Sequence, residues 1–347
     1  MPPRIDTAEL LARRERILAL AAERGAKAGV VFFDPRHIFY TTNFGFIPTE
    51  RPIALVLGAD GRAELLVPSL EREHAEHMAE VDEVRTYFEY PTERHPMEYL
   101  KGMLRAGTYA ADSNGYGRRN GYVGPTLSEL TGGDVPLVAD DLRLMMQVKS
   151  PAEIALVRES CTWGHLAHSR LQRYSRPGAS EYEVAVRASQ EATMAMVDTL
   201  GREYARACPY PLDAHAGFRG QVGANSAIPH ATTIHAVLRR GDTLVTGAAG
   251  RVWGYVSELE RTMFVGEPSP EQRRPHPVVA LREMGVPPVD YGNALAVVPR
   301  QRILDRFILK QIRRAGRFLY GMHRRVRQQP AAQHQHLPAV KTKPRKG

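Results

Sequence analysis

Residues able to do chemistry are concentrated between Gly223 and Pro268 of this 347-residue chain. His230 follows Ile228-Pro229 in a polar loop, and His235 comes five residues later. A strand entered from Arg240-Gly241-Asp242 then precedes a second strand that carries carboxylates from Glu258 onward. A loop imidazole can donate or accept a proton near neutrality, and strand-borne carboxylates can hold a metal or take up a proton. On residue types alone, an ordinary surface loop is the favoured account of His230. Other combinations have structural explanations. His74 and His77 stand one turn apart among Glu71, Arg72, Glu73 and Glu76, the pattern of a solvated helix face. His165 and His168 share that spacing on a helix whose apolar stripe gives them core or rim positions. Cys161, on the same stripe, and Cys208, before Pro209, have no evident base and read as structural thiols. The chain has no glycine-rich phosphate loop and no Gly-x-Ser-x-Gly elbow, which argues against nucleotide hydrolysis and esterase chemistry.

Positioning these groups falls to a mixed α/β chain. Residues 8–24 have the periodicity of an amphipathic helix, and 28–33 form a β-type run ending at Asp34-Pro35. Residues 53–57 and 63–67 flank Gly58-Ala59-Asp60-Gly61 as a hairpin does. Helices are expected around 69–80 and 96–105, with a short strand at 108–111. A second segment opens with Ser150-Pro151-Ala152-Glu153: a serine cap, proline at the first helical position, and a glutamate placed to return the hydrogen bond. Behind it, Ile154, Val157, Cys161, Gly164, His168 and Leu171 recur at three and four residues, one stripe of a helix. Ser180-Glu181-Tyr182-Glu183 caps another helix, expected to reach about residue 198. Strands are expected at 243–247 and 254–265, and there is no internal repeat.

The formal charge of +9 is unevenly divided. Residues 273–347 hold 17 Lys/Arg and 3 Asp/Glu, or +14, so the first 272 residues carry −5. Two cysteines exclude a disulfide framework or a four-cysteine zinc site and fit a reducing, cytoplasmic setting. No apolar run approaches the roughly 20 residues of a membrane span. The basic tail admits four readings: a nucleic-acid arm, a helix on an acidic membrane surface, a neutral disordered end, or an off-pattern stretch left by a change of reading frame near Arg274. A basic helix at 302–320 and disorder over the last 20 residues are expected there. Few aromatic residues (Tyr291, Phe307, Phe318, Tyr320) serve a single-strand stacking platform. The off-pattern reading is favoured.

In three blocks the chain resembles the creatinase and Xaa-Pro aminopeptidase family, the "pita-bread" metallopeptidases. The blocks are Asp34-Pro35 to Tyr40-Thr41-Thr42-Asn43-Phe44, Val148-Lys149-Ser150-Pro151-Ala152-Glu153-Ile154, and Gly241-Asp242 through Gly254-Tyr255-x-Ser257-Glu258-x-x-Arg261-Thr262 to Gly266. The resemblance implies an α/β (α+β) architecture: an RNase-H-like N-terminal domain over 1–143, then the first half of a pita-bread catalytic domain over 144–272, with 273–347 as the off-pattern tail. It also implies a pair of divalent metals, Mn, Zn or Co, held by two aspartates eleven residues apart, a histidine and two glutamates. Two metals on one water generate hydroxide near neutral pH and steady the developing oxyanion. Here the first aspartate position is Gly247 and the second is Glu258. No Gly-His-Gly loop follows residue 272, and Glu283 is the only glutamate beyond it. The metal site is therefore expected to be incomplete and not filled by this chain. His230 matches the histidine that faces the substrate and hydrogen-bonds the scissile carbonyl or tetrahedral oxygen. Tyr255 and Arg261 match positions beside the metal strands and are the substrate-binding candidates, though packing and a surface ion pair are the favoured reading of them.

By resemblance the reaction is metal-dependent hydrolysis of an N-terminal peptide (X-Pro) or amide bond, and this chain is not expected to catalyse it. The implied ligand is a peptide or small amide, with a homodimer as candidate assembly and no membrane partner. A non-catalytic, dimerising or binding relative is the first alternative, and a nucleic-acid binder acting through the tail is the second. Half of a pita-bread domain also implies exposed apolar sheet surface.

Overall fold

The computed structural model describes residues 3–89, 94–116, 122–201, 204 and 212–273. Cys208 and the expectations for the basic tail lie outside them.

The N-terminal half is a five-stranded sheet buried on both faces. Helix α1 (Thr7–Glu23) starts at Asp6, whose carboxylate accepts the Glu9 amide. Strand β1 (Gly29–Phe32) leads into α2 (Pro35–Thr42), a helix absent from the sequence expectations. Its start was nonetheless encoded, because Asp34 caps it and Pro35 takes the first helical position. The expected hairpin forms as β2 (Ala54–Gly58) and β3 (Ala63–Pro68). There follow α3 (Arg72–Met78), β4 (Glu83–Tyr87), α4 (Pro96–Met103), β5 (Tyr109–Ala111), α5 (Leu127–Thr131) and α6 (Ala139–Gln147). The strand order is β4-β3-β2-β1-β5, with β1/β5 and β3/β4 parallel. Val30, Phe32, Leu55 and Leu57 enter one core, and Val31, Phe33, Ala54 and Val56 enter the other. Strands buried on both faces carry continuous apolar runs, which is how β1 and β2 read.

The second half begins with α7 (Pro151–Tyr174) and α8 (Glu181–Leu200). The capping box expected at Ser150 and Glu153 is present in both directions. The expected stripe on α7 is only partly right. Ile154 and Cys161 are exposed, while the buried face runs through Glu153, Leu156, Ser160, Trp163, Gly164, Ala167, His168 and Leu171. Three polar residues go inside because each finds a partner: Ser160 Oγ donates to the Gly250 carbonyl, Glu153 meets Arg13 and Tyr255, and His168 meets the Thr246 hydroxyl. Strands β6 (Ala214–Gly217), β7 (Thr243–Val252), β8 (Tyr255–Val256) and β9 (Leu259–Phe264) form an antiparallel sheet around β7, before a last turn of helix, α9 (Pro270–Arg273). Strand β7 runs five residues past its expected end, and the second expected strand is broken at Ser257-Glu258.

Glycine explains why β7 continues. A Cβ at Gly250 would stand 2.2 Å from the Ser160 carbonyl oxygen, so α7 lies directly on the strand backbone there. The two halves are joined by buried polar contacts. Arg13 of α1 is 1% exposed; it donates to the Tyr40 carbonyl at 2.9 Å and the Tyr255 hydroxyl at 3.2 Å, and lies 3.6 Å from Glu153. Trp253 Nε1 donates to Asn43 Oδ1 at 3.1 Å.

Candidate functional site

Alternation along β7 divides its residues between two faces. Thr246 meets His168 and Gly250 meets Ser160, so the even-numbered positions lie under α7. Val245, Gly247 and Ala249 face the other way, and register places Gly217 and His215 of β6 and Thr262 and Glu260 of β9 beside them. The face is therefore small and charged. Exposed apolar side chains are found on the loop that precedes β7, at Ile228, Ile234 and Val237.

Gly217 and Gly247 are paired directly, giving the face a floor of bare backbone. A Cβ at Gly247 would lie 2.9 Å from Glu260 Oε1 and 3.6 Å from Arg219 Nη2. Those two side chains form an ion pair of 2.7 Å across the floor. Arg219 reaches it from a left-handed residue, φ 52°, in the turn that leaves β6. The imidazole of His215 has its pKa pushed down, first by burial and then by the Arg251 guanidinium.

Loop 228–237, which links β6 to β7, is pinned by two devices. Gly220, φ +70°, lies so close under the loop that a Cβ would be 1.8 Å from the Thr232 carbonyl oxygen. Glu181 Oε1, in the first turn of α8, accepts the amides of Ile234 at 3.1 Å and His235 at 3.2 Å and the Thr233 hydroxyl. His230 stands at the exposed tip in a left-handed conformation, φ 53°, with no hydrogen bond among the described residues. His235 is also exposed, tilted against the Tyr182 ring.

The remaining sequence candidates separate. Ser257 turns inward, donating to the Ser160 carbonyl at 3.0 Å, and Glu258 beside it is exposed at the break between β8 and β9. Arg261 is paired with Thr246 and so belongs to the helix-covered face, opposite to Glu260. Tyr255 donates to Glu153 at 2.9 Å; burial, first, and that carboxylate push its phenol pKa upward against the pull of Arg13. Its hydroxyl is engaged in joining the two halves. His168 is buried on Thr246, while His165 is exposed.

These residues do not fit a divalent-metal centre. The first ligand position has no side chain, and its space is taken by a carboxylate already neutralised by a guanidinium, which has no lone pair to offer a cation. Among the described residues, no three His, Cys, Asp or Glu side chains come together as a metal site. Glu260 and Arg219 were not among the sequence candidates. The available signal was the alternation Glu258-x-Glu260, which in an unbroken strand would put a second carboxylate on the same side; the strand is broken at Glu258, and Glu260 alone keeps a place in β9.

Residues 13–114 match the creatinase/prolidase N-terminal domain, and residues 155–282 match metallopeptidase family M24. The chain belongs to the creatinase and Xaa-Pro aminopeptidase family. Among its relatives, the probable dipeptidase PepE of Mycobacterium tuberculosis H37Rv is 25% identical over 270 residues, covering 75% of this chain and 65% of PepE. Creatinase of Bacillus sp. B-0618 is 26% identical over 277 residues, covering 77% and 63%. The chain thus spans less than two thirds of the length of these relatives. Among solved structures, prolidase from Pyrococcus horikoshii OT3 superposes with a TM-score of 0.57 at 20% identity, covering 75% of this chain and 67% of its own. Dipeptidase PepE from Mycobacterium ulcerans gives 0.56 at 24% identity, covering 77% and 68%. The pita-bread architecture that the sequence blocks implied is the one observed. No described helix is long and apolar enough to cross a membrane.

Proposed function

We propose that this chain binds an N-terminal peptide or small amide on the open face around Gly247 and does not hydrolyse it through a metal pair. The observation that carries this reading is the Glu260–Arg219 ion pair, standing where the side chain of a first metal ligand would project. The glycine floor leaves room for a peptide backbone, and the paired Arg219 and Glu260 beside it keep further N–H donors and carboxylate lone pairs to hydrogen-bond its amides. His230, at the tip of a loop pinned by Glu181, is the donor best placed by sequence to meet a carbonyl oxygen. The domain limits 1–143 and 144–272, a homodimeric assembly and a cytoplasmic setting are carried as parts of the same proposal.

The test is metal content and hydrolysis measured on the full-length chain. After incubation with Mn, Co or Zn and dialysis, metal should remain far below one equivalent. Ala-Pro, Gly-Pro and an X-Pro tripeptide should show no metal-dependent cleavage. One or more equivalents of metal, with cleavage that a chelator abolishes, would overturn the proposal.

A further inference from the structure

Where the first sheet meets α7 and the β7–β8 hairpin, a cavity of about 970 Å³ opens, within the size range of small-molecule sites. Its wall carries His37 and Asp112, which the family reading leaves unused. Asp112 follows β5, and its side chain is 1% exposed. One carboxylate oxygen accepts the Phe33 amide and the other the Asp34 amide, each at 2.9 Å. The second oxygen also lies 2.9 Å from His37 Nδ1, which therefore carries a proton and donates it. The His37 side chain is 10% exposed and faces the cavity, and its Nε2 has no hydrogen-bond partner among the described residues.

The acids in the wall already face donors. Asp34 pairs with Arg36 at 2.8 Å, Asp140 with Arg143 at 3.4 Å, Asp112 with His37, and Glu153 with Arg13 behind the wall. Lys149 differs: its Nζ donates to the backbone carbonyls of Met146 and Gln147, with no described carboxylate in reach. Phe33, Phe39, Phe46 and Tyr116 supply apolar and aromatic surface. A pocket with one oriented imidazole, a lysine ammonium with no described carboxylate in reach and aromatic walls suits an anionic head on a planar or apolar body.

We propose that this cavity binds a small organic oxyanion, a carboxylate or phosphate on an aromatic or apolar body, anchored by His37 Nε2 and Lys149 Nζ. His37 is oriented by its Nδ1 hydrogen bond to Asp112 and meets the ligand oxygen through Nε2, the two sharing the proton between them. The site is separate from the face around Gly247 and holds whether or not that face binds peptides.

The experiment titrates the full-length chain with inorganic phosphate, benzoate and phenyl phosphate by calorimetry, and follows histidine imidazoles by NMR. Phenyl phosphate or benzoate should bind with one-to-one stoichiometry and shift the His37 signals, assigned from the His37→Asn variant. Binding of benzoate alone identifies a carboxylate head, and binding of phenyl phosphate alone a phosphate. Lys149→Met, at the exposed rim, should weaken binding about ten-fold, with His37→Asn at least as severe and melting unchanged in the first. Heats unaltered by both substitutions, or an unmoved His37 signal, would place binding elsewhere and overturn the proposal. So would the absence of binding by all three probes at roughly 10 mM.

Discussion

Replacing Arg13 with methionine tests how the two halves are held together. Methionine keeps the apolar length of the arginine stem and removes its charge and donors. Arg13 and Glu153 have side chains 1% and 3% exposed, so neither can turn to water when its partner is lost. Glu153 would retain the Ser150 amide at 2.8 Å and the Tyr255 hydroxyl at 2.9 Å but lose the guanidinium. Breaking a buried pair in this way costs about 3–5 kcal/mol. For a body of this size each kcal/mol moves the melting temperature by about 2–4 °C, so Arg13→Met should melt roughly 6–20 °C lower. The double variant Arg13→Met with Glu153→Met removes both charges and should regain most of that loss, short of about 1–2 kcal/mol for the orphaned Tyr255 hydroxyl. Urea and thermal unfolding of wild type, the two single variants and the double variant complete the cycle. A double variant as unstable as Arg13→Met, or Arg13→Met within 1 kcal/mol of wild type, would refute the buried-charge argument.

Two glycines on β7 should respond in opposite ways. Gly250→Ala drives a methyl into the backbone of α7 and should cost about 3 kcal/mol or more, while Gly247→Ala meets only the flexible ends of Glu260 and Arg219 and should stay within about 1 kcal/mol. Equal unfolding midpoints would contradict this. The pKa of His168 is pushed below its ordinary value, by burial first and then by Arg261 and His165, so the folded state holds the ring neutral. Its contribution to stability is complete above the unfolded-state value near 6.5 and is lost as pH falls. His168→Gln should flatten the melting temperature between about pH 7 and 5, and an unchanged slope would assign that dependence to other groups. Gly220→Ala should release the loop from Thr232, visible as faster amide exchange at 230–235 with core protection unchanged.

Local signals carried much of the fold. The capping box at Ser150, the β2–β3 hairpin and the helix starting near residue 8 each depend on neighbours in sequence, and all three are found. Features set by distant partners were not legible. Glu153 and Ser160 interrupt an apolar stripe in sequence, yet both are inside because Arg13 and Gly250, more than 80 residues away in each case, supply their partners. The run Gly247-Ala248-Ala249-Gly250 has the composition of a strand's end, but the strand continues: α7 lies so close at Gly250 that no side chain fits there, and Gly247 on the other face lies under Glu260 and Arg219. The candidate site shows the same limit. Gly247 and Glu258 could be aligned by spacing. The pair that fills the vacant position joins Glu260 to Arg219, 41 residues apart, and only the register of β7 with β9 brings them together.

The contact between Arg13 and Tyr255 spans 242 residues. On a ribosome adding roughly 5–20 residues per second, helix α1 waits on the order of 12–50 s before the hydroxyl that completes its polar set has been made. The first sheet can close long before then, since its strands end at Ala111, but its buried cation remains only partly satisfied. Arrival of the β7–β8 hairpin therefore works as a late lock on an early structure. A nascent chain arrested before residue 255 should display α1 to proteases and chaperones, and release past that point should withdraw it.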